Sequence, residues 1–152
     1  MTYLFLKWIH VLAAVVALGT NLTYTIWLLR ANHNPESLLF TLRTIKLLDD
    51  RVANPAYVVS LITGVGMVFV SGMSFTTPWL LLSLILYVLV VLIGLFGYTP
   101  TLARQIRAAE NGVGYAAAYT AVARRATILG GIIVGLVIII VLLMVMKPPL
   151  WG

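Results

Sequence analysis

The sequence YLFLKWIHVLAAVVALGTNLTYTIWLL (Tyr3–Leu29) decides the fold class, because it is an apolar run long enough to cross a lipid bilayer. A helix needs about 20 residues for that crossing, and three further apolar runs approach this length. Hydrophobic residues make up 62% of the 152 positions and charged residues only 9%, too few to cover a water-soluble surface. We therefore predict an all-α protein, a four-helix transmembrane bundle that forms a single integral membrane domain over residues 1–152.

Turn and cap signals divide the chain into elements. We predict spans at about 3–29, 56–70, 78–98 and 126–146, with an interfacial amphipathic helix at about 35–50 between the first two. Asn54-Pro55 is typical of a helix start, since Asn caps an N-terminus and Pro is tolerated in the first turn. Pro100 is expected to kink or end the third span, because proline lacks an N–H.

The basic residues predict the orientation of the chain. Eight of the ten lie between spans one and two or between spans three and four, and Lys7 and Lys147 are the remaining two. The positive-inside rule then places both long loops in the cytoplasm and both termini outside it. We predict a multi-pass protein of the cell inner (plasma) membrane. Its basic residues flank apolar runs and form no patch, so we expect contact with the lipid bilayer and none with nucleic acid.

One face of the first span carries its polar side chains at helical spacing. The residues on this face are Lys7, His10, Ala14, Ala17, Asn21 and Tyr24. A histidine within a span is costly unless it has a partner or a task. Two interpretations remain open for His10, a hydrogen bond to a neighbouring helix and a metal ligand, for haem iron in particular. Asn21 and Tyr24 lie further along the helix and are interpreted as hydrogen-bonding contacts between helices.

Methionines give the haem interpretation some support. The four that we place at the level of His10 are Met67, Met73, Met144 and Met146. A thioether can be the second axial ligand of haem, and thioethers also bind copper(I). The alternative is that these side chains fill gaps in the core. Lys7 would either pair with a haem propionate or extend to the membrane surface. The candidate cofactor-binding residues are therefore His10, Lys7, Met67 and Met144, with His10 as the metal ligand.

Other short patterns predict packing and charge pairing. Ser60-xxx-Gly64 and Gly131-xxx-Gly135 both have the small-residue spacing that allows close helix contact. Asp49-Asp50-Arg51 is interpreted as a local ion-pair cluster at the membrane surface. The absence of cysteine excludes disulfides, thiolate metal sites and cysteine nucleophiles. The sequence shows no recognisable catalytic triad, carboxylate pair or phosphate-binding loop.

The order of these motifs resembles the domain of unknown function 2269 family of predicted integral membrane proteins. The residues that carry the resemblance are Lys7-Trp-Ile-His10 with Gly19, Asn54-Pro55-Ala56, Thr63-Gly64-Val-Gly66 and Met144-Val-Met146-Lys147-Pro148. They extend over nearly the whole chain, from about Tyr3 to Pro148.

A more distant resemblance joins the chain to HemJ-type protoporphyrinogen oxidase and its CopD-like copper relatives. These proteins also have a Lys-x-x-His opening helix, an Asn-Pro-Ala entry to the next span and a closing Lys-Pro. In the HemJ-type family the histidine is associated with haem b, so the resemblance implies His10 as the ligand. The chain has Tyr98-Thr99 where that family has a Tyr-His pair.

Three functions follow as expectations. The first is binding of haem b through His10 in a redox or electron-transfer role. The second is a non-catalytic accessory subunit that packs against other membrane subunits or forms a homo-oligomer. The third is copper handling through the methionines. Whether the protein is an enzyme is left open.

Overall fold

The computed structural model describes residues 1–32, 37–110 and 117–150, and this part of the chain contains helices and no strand. The α-helices are α1 (Thr2–Asn32), α2 (Leu38–Leu48), α3 (Asn54–Ser71), α4 (Pro78–Leu92), α5 (Thr99–Glu110) and α6 (Ala117–Met146). Two π-helical segments, Asp49–Ala53 and Ile93–Tyr98, connect α2 to α3 and α4 to α5. Four continuous helices are long and apolar enough to span a membrane, which confirms the predicted all-α class. The orientation of the termini stays a prediction.

Neither proline marks a helix boundary, so the predicted start at Asn54-Pro55 and the predicted end at Pro100 are wrong, and a kink at Pro100 stays a prediction. The helix continues past Asn54-Pro55, with Ala53 at φ −66° and ψ −51°, and past Pro100, with Thr99 at φ −55° and ψ −48°. Each proline lies two residues after a π-helical segment. In an α-helix, proline leaves one carbonyl without its hydrogen bond and its ring clashes with the carbonyl one turn earlier. The wider π turn shifts these carbonyls, so the helix continues without a break.

Several predicted bounds change with these continuous helices. Helix α2 is therefore the first part of a single helix, Leu38–Ser71, that includes the second span. Its expected start near residue 35 lies outside the described residues. Helix α6 begins about nine residues before the predicted 126, because Arg124 and Arg125 continue the helix in place of a loop.

The helices pack as two pairs. Helix α1 lies along α3 and helix α4 lies along α6, while α1 also contacts α6. No Cα atom of α3 lies within 8 Å of a Cα atom of α4. The interior between the two pairs is therefore incompletely filled, and it contains the cavities that form the candidate site.

The most tightly packed part of the bundle is where α2 meets α1 and α5. Leu42 and Ile45 on α2 are fully buried, and Leu102 on α5 is 2% exposed. Phe40 and Leu47, on the opposite side of α2, are 68% and 60% exposed. The amphipathic character predicted for this helix thus reflects docking against other helices through one side.

Of the two small-residue motifs, one makes the close contact and one does not. A Cβ atom at Gly64 would lie 3.0 Å from Cε1 of His10, so α3 approaches α1 closely there. At Gly131 and Gly135 no described side chain or other helix lies within 4 Å of such an atom. Within the described chain these glycines face no closely packed helix, so the close-packing face predicted for α6 stays a prediction.

Candidate functional site

Two cavities lie between the helix pairs. The His10 cavity has a volume of about 310 Å³, and the Asp49 cavity has a volume of about 690 Å³. The residues that line the His10 cavity include His10, Ser60, Gly64, Met67, Met73, Trp79, Tyr87 and Met144. The Asp49 cavity is lined by residues that include Asn21, Tyr24, Asp49, Asn54, Tyr57, Tyr87, Tyr98 and Gln105.

Tyr57 and Tyr87 line both cavities and stand between them. Their rings meet edge to face with centroids 6.4 Å apart, and the Tyr87 hydroxyl donates to the Tyr57 carbonyl at 2.8 Å. The Asn21 amide donates to the Tyr57 hydroxyl. The predicted helix-bridging role of Asn21 is confirmed, and this tyrosine pair links α3 to α4 where their backbones stay apart.

The geometry around His10 determines its tautomer. Nδ1 lies 2.8 Å from the backbone carbonyl oxygen of Ser60, which can only accept a hydrogen bond, so Nδ1 carries the proton. The hydroxyls of Ser60 and Thr63 lie further away, at 3.4 and 3.3 Å. In the neutral ring Nε2 then carries the lone pair, and it makes no hydrogen bond within the described residues. The predicted hydrogen bond to a neighbouring helix is present, and it occupies only one of the two ring nitrogens.

Small and polar residues on α3 make this contact possible. Gly64 leaves room for the imidazole ring, and Thr63 donates its own hydroxyl hydrogen to the Val59 carbonyl at 2.7 Å. The Thr63 hydrogen is therefore used within its own helix, and the Ser60 carbonyl, at 2.8 Å, is the nearer acceptor for His10. The ring is held at one edge by α3 and borders the cavity.

Three of the four methionines share a cavity with His10. Met67, Met73 and Met144 come from α3, the loop after it and α6, and all three line the His10 cavity. Met146 does not line it and is 68% exposed. Three of the methionines predicted at the level of His10 thus share its cavity. Met146 faces outward because it lies two residues from Met144 on the helix.

The two lysines near this level lie outside the cavity lining. Lys7 is exposed and does not line the His10 cavity. Lys147 places its Nζ 5.5 Å from the centroid of the Trp79 ring, a cation–π contact, and Trp79 lines the cavity. Lys147 therefore contacts a residue of the cavity lining, Trp79, whereas Lys7 does not line the cavity.

Asp49 is a candidate residue that the sequence interpretation missed. It is 6% exposed, whereas Asp50 lies at the surface and forms an ion pair with Lys46. The predicted surface cluster is therefore wrong for Asp49. A signal was present, because Asp49 follows Leu42 and Ile45 at spacings of seven and four and so continues the buried stripe of α2.

Metal binding by hard ligands has no support from the described residues. These contain no group of three or more His, Cys, Asp or Glu side chains placed to hold a metal ion. The soft or borderline ligands that line the His10 cavity are the imidazole and the thioethers of Met67, Met73 and Met144.

Comparison with known proteins identifies one match. A family model with the description "Predicted integral membrane protein (DUF2269)" matches residues 4–148. No curated protein matches the chain, and no solved structure matches it.

Proposed function

Because the chain belongs to this DUF2269 family of predicted integral membrane proteins, we propose that it acts within the membrane, by binding haem b through Nε2 of His10 in a redox role. The observation that carries the proposal is the hydrogen bond from Nδ1 to the Ser60 carbonyl. Histidines that bind metals almost always donate their other ring N–H in this way, which orients the ring and keeps the ligating nitrogen deprotonated.

The cavity around His10 fits an apolar cofactor in its chemistry. Its lining is predominantly aliphatic and aromatic, as is usual for cofactor pockets, and its volume of about 310 Å³ lies at the lower end of their range. Met67 or Met144 would supply a second axial ligand, and haem would supply one-electron transfer between ferric and ferrous iron.

A haem titration tests this proposal. We expect the purified protein in detergent to bind haem with a Soret band that shifts from that of free haem. His10→Ala should weaken binding by about 100-fold or more, since loss of even outer-shell partners of metal ligands costs 10–100-fold. Added imidazole should partly restore the spectrum in this variant, because it can replace the missing ligand.

Leu12→Ala is the matched control, since Leu12 lies two residues away, is 49% exposed and does not line the cavity. We expect it to bind haem like the unaltered protein. If His10→Ala and Leu12→Ala give the same Soret band and affinity, His10 is not the ligand.

Copper(I) binding is the second candidate, because three thioethers and one imidazole line the same cavity. Both ligand types suit this soft ion. We expect Met67→Leu and Met144→Leu each to lower copper(I) affinity by about tenfold in competition with a chromogenic chelator. Leucine keeps the volume nearly constant, so packing should change little.

Met146→Leu provides the control for the copper experiment, since Met146 is exposed and lies outside the cavity lining. Its copper(I) affinity should equal that of the unaltered protein. Equal affinities for all three variants would rule out thioether ligation in the cavity.

A further inference from the structure

We propose that the Asp49 cavity binds an organic cation that carries several N–H groups, such as a protonated amine. This site is separate from the His10 cavity, and the proposal does not depend on haem or copper binding. Its basis is the buried Asp49 carboxylate together with the buried Gln105 Oε1 atom, which has no hydrogen-bond partner in the described residues.

The carboxylate of Asp49 lacks a cationic neighbour in the cavity. Lys46, one helical turn away, forms its ion pair with Asp50, and Arg43 forms one with Glu110. The described residues that line the cavity include no Lys, Arg or His. Asp49 receives a hydrogen bond from the Asn54 amide at 3.5 Å, which is long and weak, and the Tyr24 hydroxyl interacts with the same carboxylate. A buried charge in this situation requires a counter-ion to offset its desolvation.

Two further side chains in the lining point to the same ligand chemistry. Tyr24 is 5% exposed and Gln105 is 2% exposed. Gln105 Oε1 makes no hydrogen bond with the described residues, and the Tyr24 hydroxyl lies beside the Asp49 carboxylate. The Gln105 amide nitrogen is already used, since it donates to the Tyr119 hydroxyl at 3.2 Å. Buried polar atoms without partners are rare in native proteins and ask for an explanation. The Tyr24 hydroxyl also interacts with the Asp49 carboxylate, so the interpretation of Tyr24 as a hydrogen-bonded helix contact stays a prediction.

The polar atoms of the lining determine which ligand the cavity can bind. Gln105 Oε1 and the Asp49 carboxylate accept hydrogen bonds, and the Tyr24 hydroxyl has lone pairs that do the same. A ligand with several N–H donors and a positive charge satisfies all three, whereas an anion or a pure acceptor would face repulsion or leave them unpaired. Tyr57, Tyr87 and Tyr98 add aromatic rings, which attract ammonium groups.

The size of the cavity distinguishes an organic cation from a bare metal ion. A volume of about 690 Å³ suits a small organic molecule. A hard metal cation would need six or more oxygen ligands drawn tightly around it. Asp49 is the one acidic side chain in the lining, so a dedicated metal cage is not formed by these residues.

Calorimetric titration with three probes of similar shape and different charge tests the proposal. The probes are 2-phenylethylammonium, neutral 2-phenylethanol and anionic 3-phenylpropionate, each added to the full chain in a neutral detergent. We expect the ammonium probe to bind more tightly than the other two. Asp49→Asn should weaken its binding by about 30-fold, the effect of removing one member of a buried charge pair.

Asp50→Asn is the matched control, because Asp50 is adjacent, is paired with Lys46 and lies outside the cavity lining. It should leave ammonium binding unchanged. Tyr24→Phe provides a second test that does not depend on tolerance of the Asp49 change. It should weaken ammonium binding by about fivefold, the effect of one hydrogen bond.

The result that supports the proposal is selective ammonium binding that both Asp49→Asn and Tyr24→Phe weaken. Three results would overturn it. These are equal affinity for the charged and neutral probes, no ammonium binding by the unaltered chain, and equal ammonium affinity in Asp49→Asn and Asp50→Asn. If Asp49→Asn cannot be purified, unchanged binding in Tyr24→Phe would also overturn it.

Discussion

Replacement of Gly64 by leucine is expected to displace the His10 ring and to remove haem binding together with part of the stability of the bundle. A Cβ atom at this position would lie 3.0 Å from His10 Cε1 and 3.3 Å from Nδ1, closer than carbon atoms tolerate without movement. The rest of the leucine side chain would occupy the place of the imidazole. Overpacking of this kind costs about 1–3 kcal/mol, and the hydrogen bond to the Ser60 carbonyl would be lost as well.

Thermal unfolding in detergent and the haem titration measure the two parts of this prediction. Gly135→Leu is the matched control, since a Cβ atom there meets no side chain or other helix of the described structure within 4 Å. That variant should melt and bind haem like the unaltered protein. A Gly64→Leu protein with the same melting temperature as Gly135→Leu would show that α1 and α3 are not held in this close contact.

Truncation of Leu42 to alanine is expected to destabilise the protein by about 2–5 kcal/mol. Leu42 is fully buried where α2 meets the other helices, so its loss leaves a cavity whose lining atoms forfeit their van der Waals contacts. This loss of stability comes from lost packing contacts, so it is expected at any depth in the membrane. Denaturant titration followed by circular dichroism gives the change in the free energy of unfolding.

Leu47→Ala tests whether the effect depends on docking through one side of α2. Leu47 lies on the same helix and is 60% exposed, so its truncation should change the free energy of unfolding by no more than about 0.5 kcal/mol. Similar losses for Leu42→Ala and Leu47→Ala would contradict the docked position of α2.

The sequence predicts the general architecture well because apolar length and helical spacing are local properties. His10 and the Ser60-xxx-Gly64 motif were both identified from spacing, and the structure brings them into contact. The acceptor for His10 is a backbone carbonyl, however, and every residue has one. No pattern of side chains could therefore have identified this hydrogen bond or the tautomer that follows from it.

The wrong predictions have a common origin in local signals that tertiary packing overrides. Pro55 and Pro100 are of a residue type that often marks a helix boundary, but the π-helical segments before them let each helix continue. Asp49 was assigned to the surface with its charged neighbours, although its helical position continues the buried side of α2.

The π-helical segment Asp49–Ala53 also sets the rotational phase of everything that follows it. One residue corresponds to a rotation of about 100° around a helix axis, and a π turn contains about one residue more than an α turn. Deletion of a single residue here would turn α3 by roughly that angle relative to α2. Ser60 and Gly64 would then point away from His10, although no residue in the His10 cavity had been changed. The π-helical segment beside the Asp49 cavity thus keeps the residues of the His10 cavity in alignment.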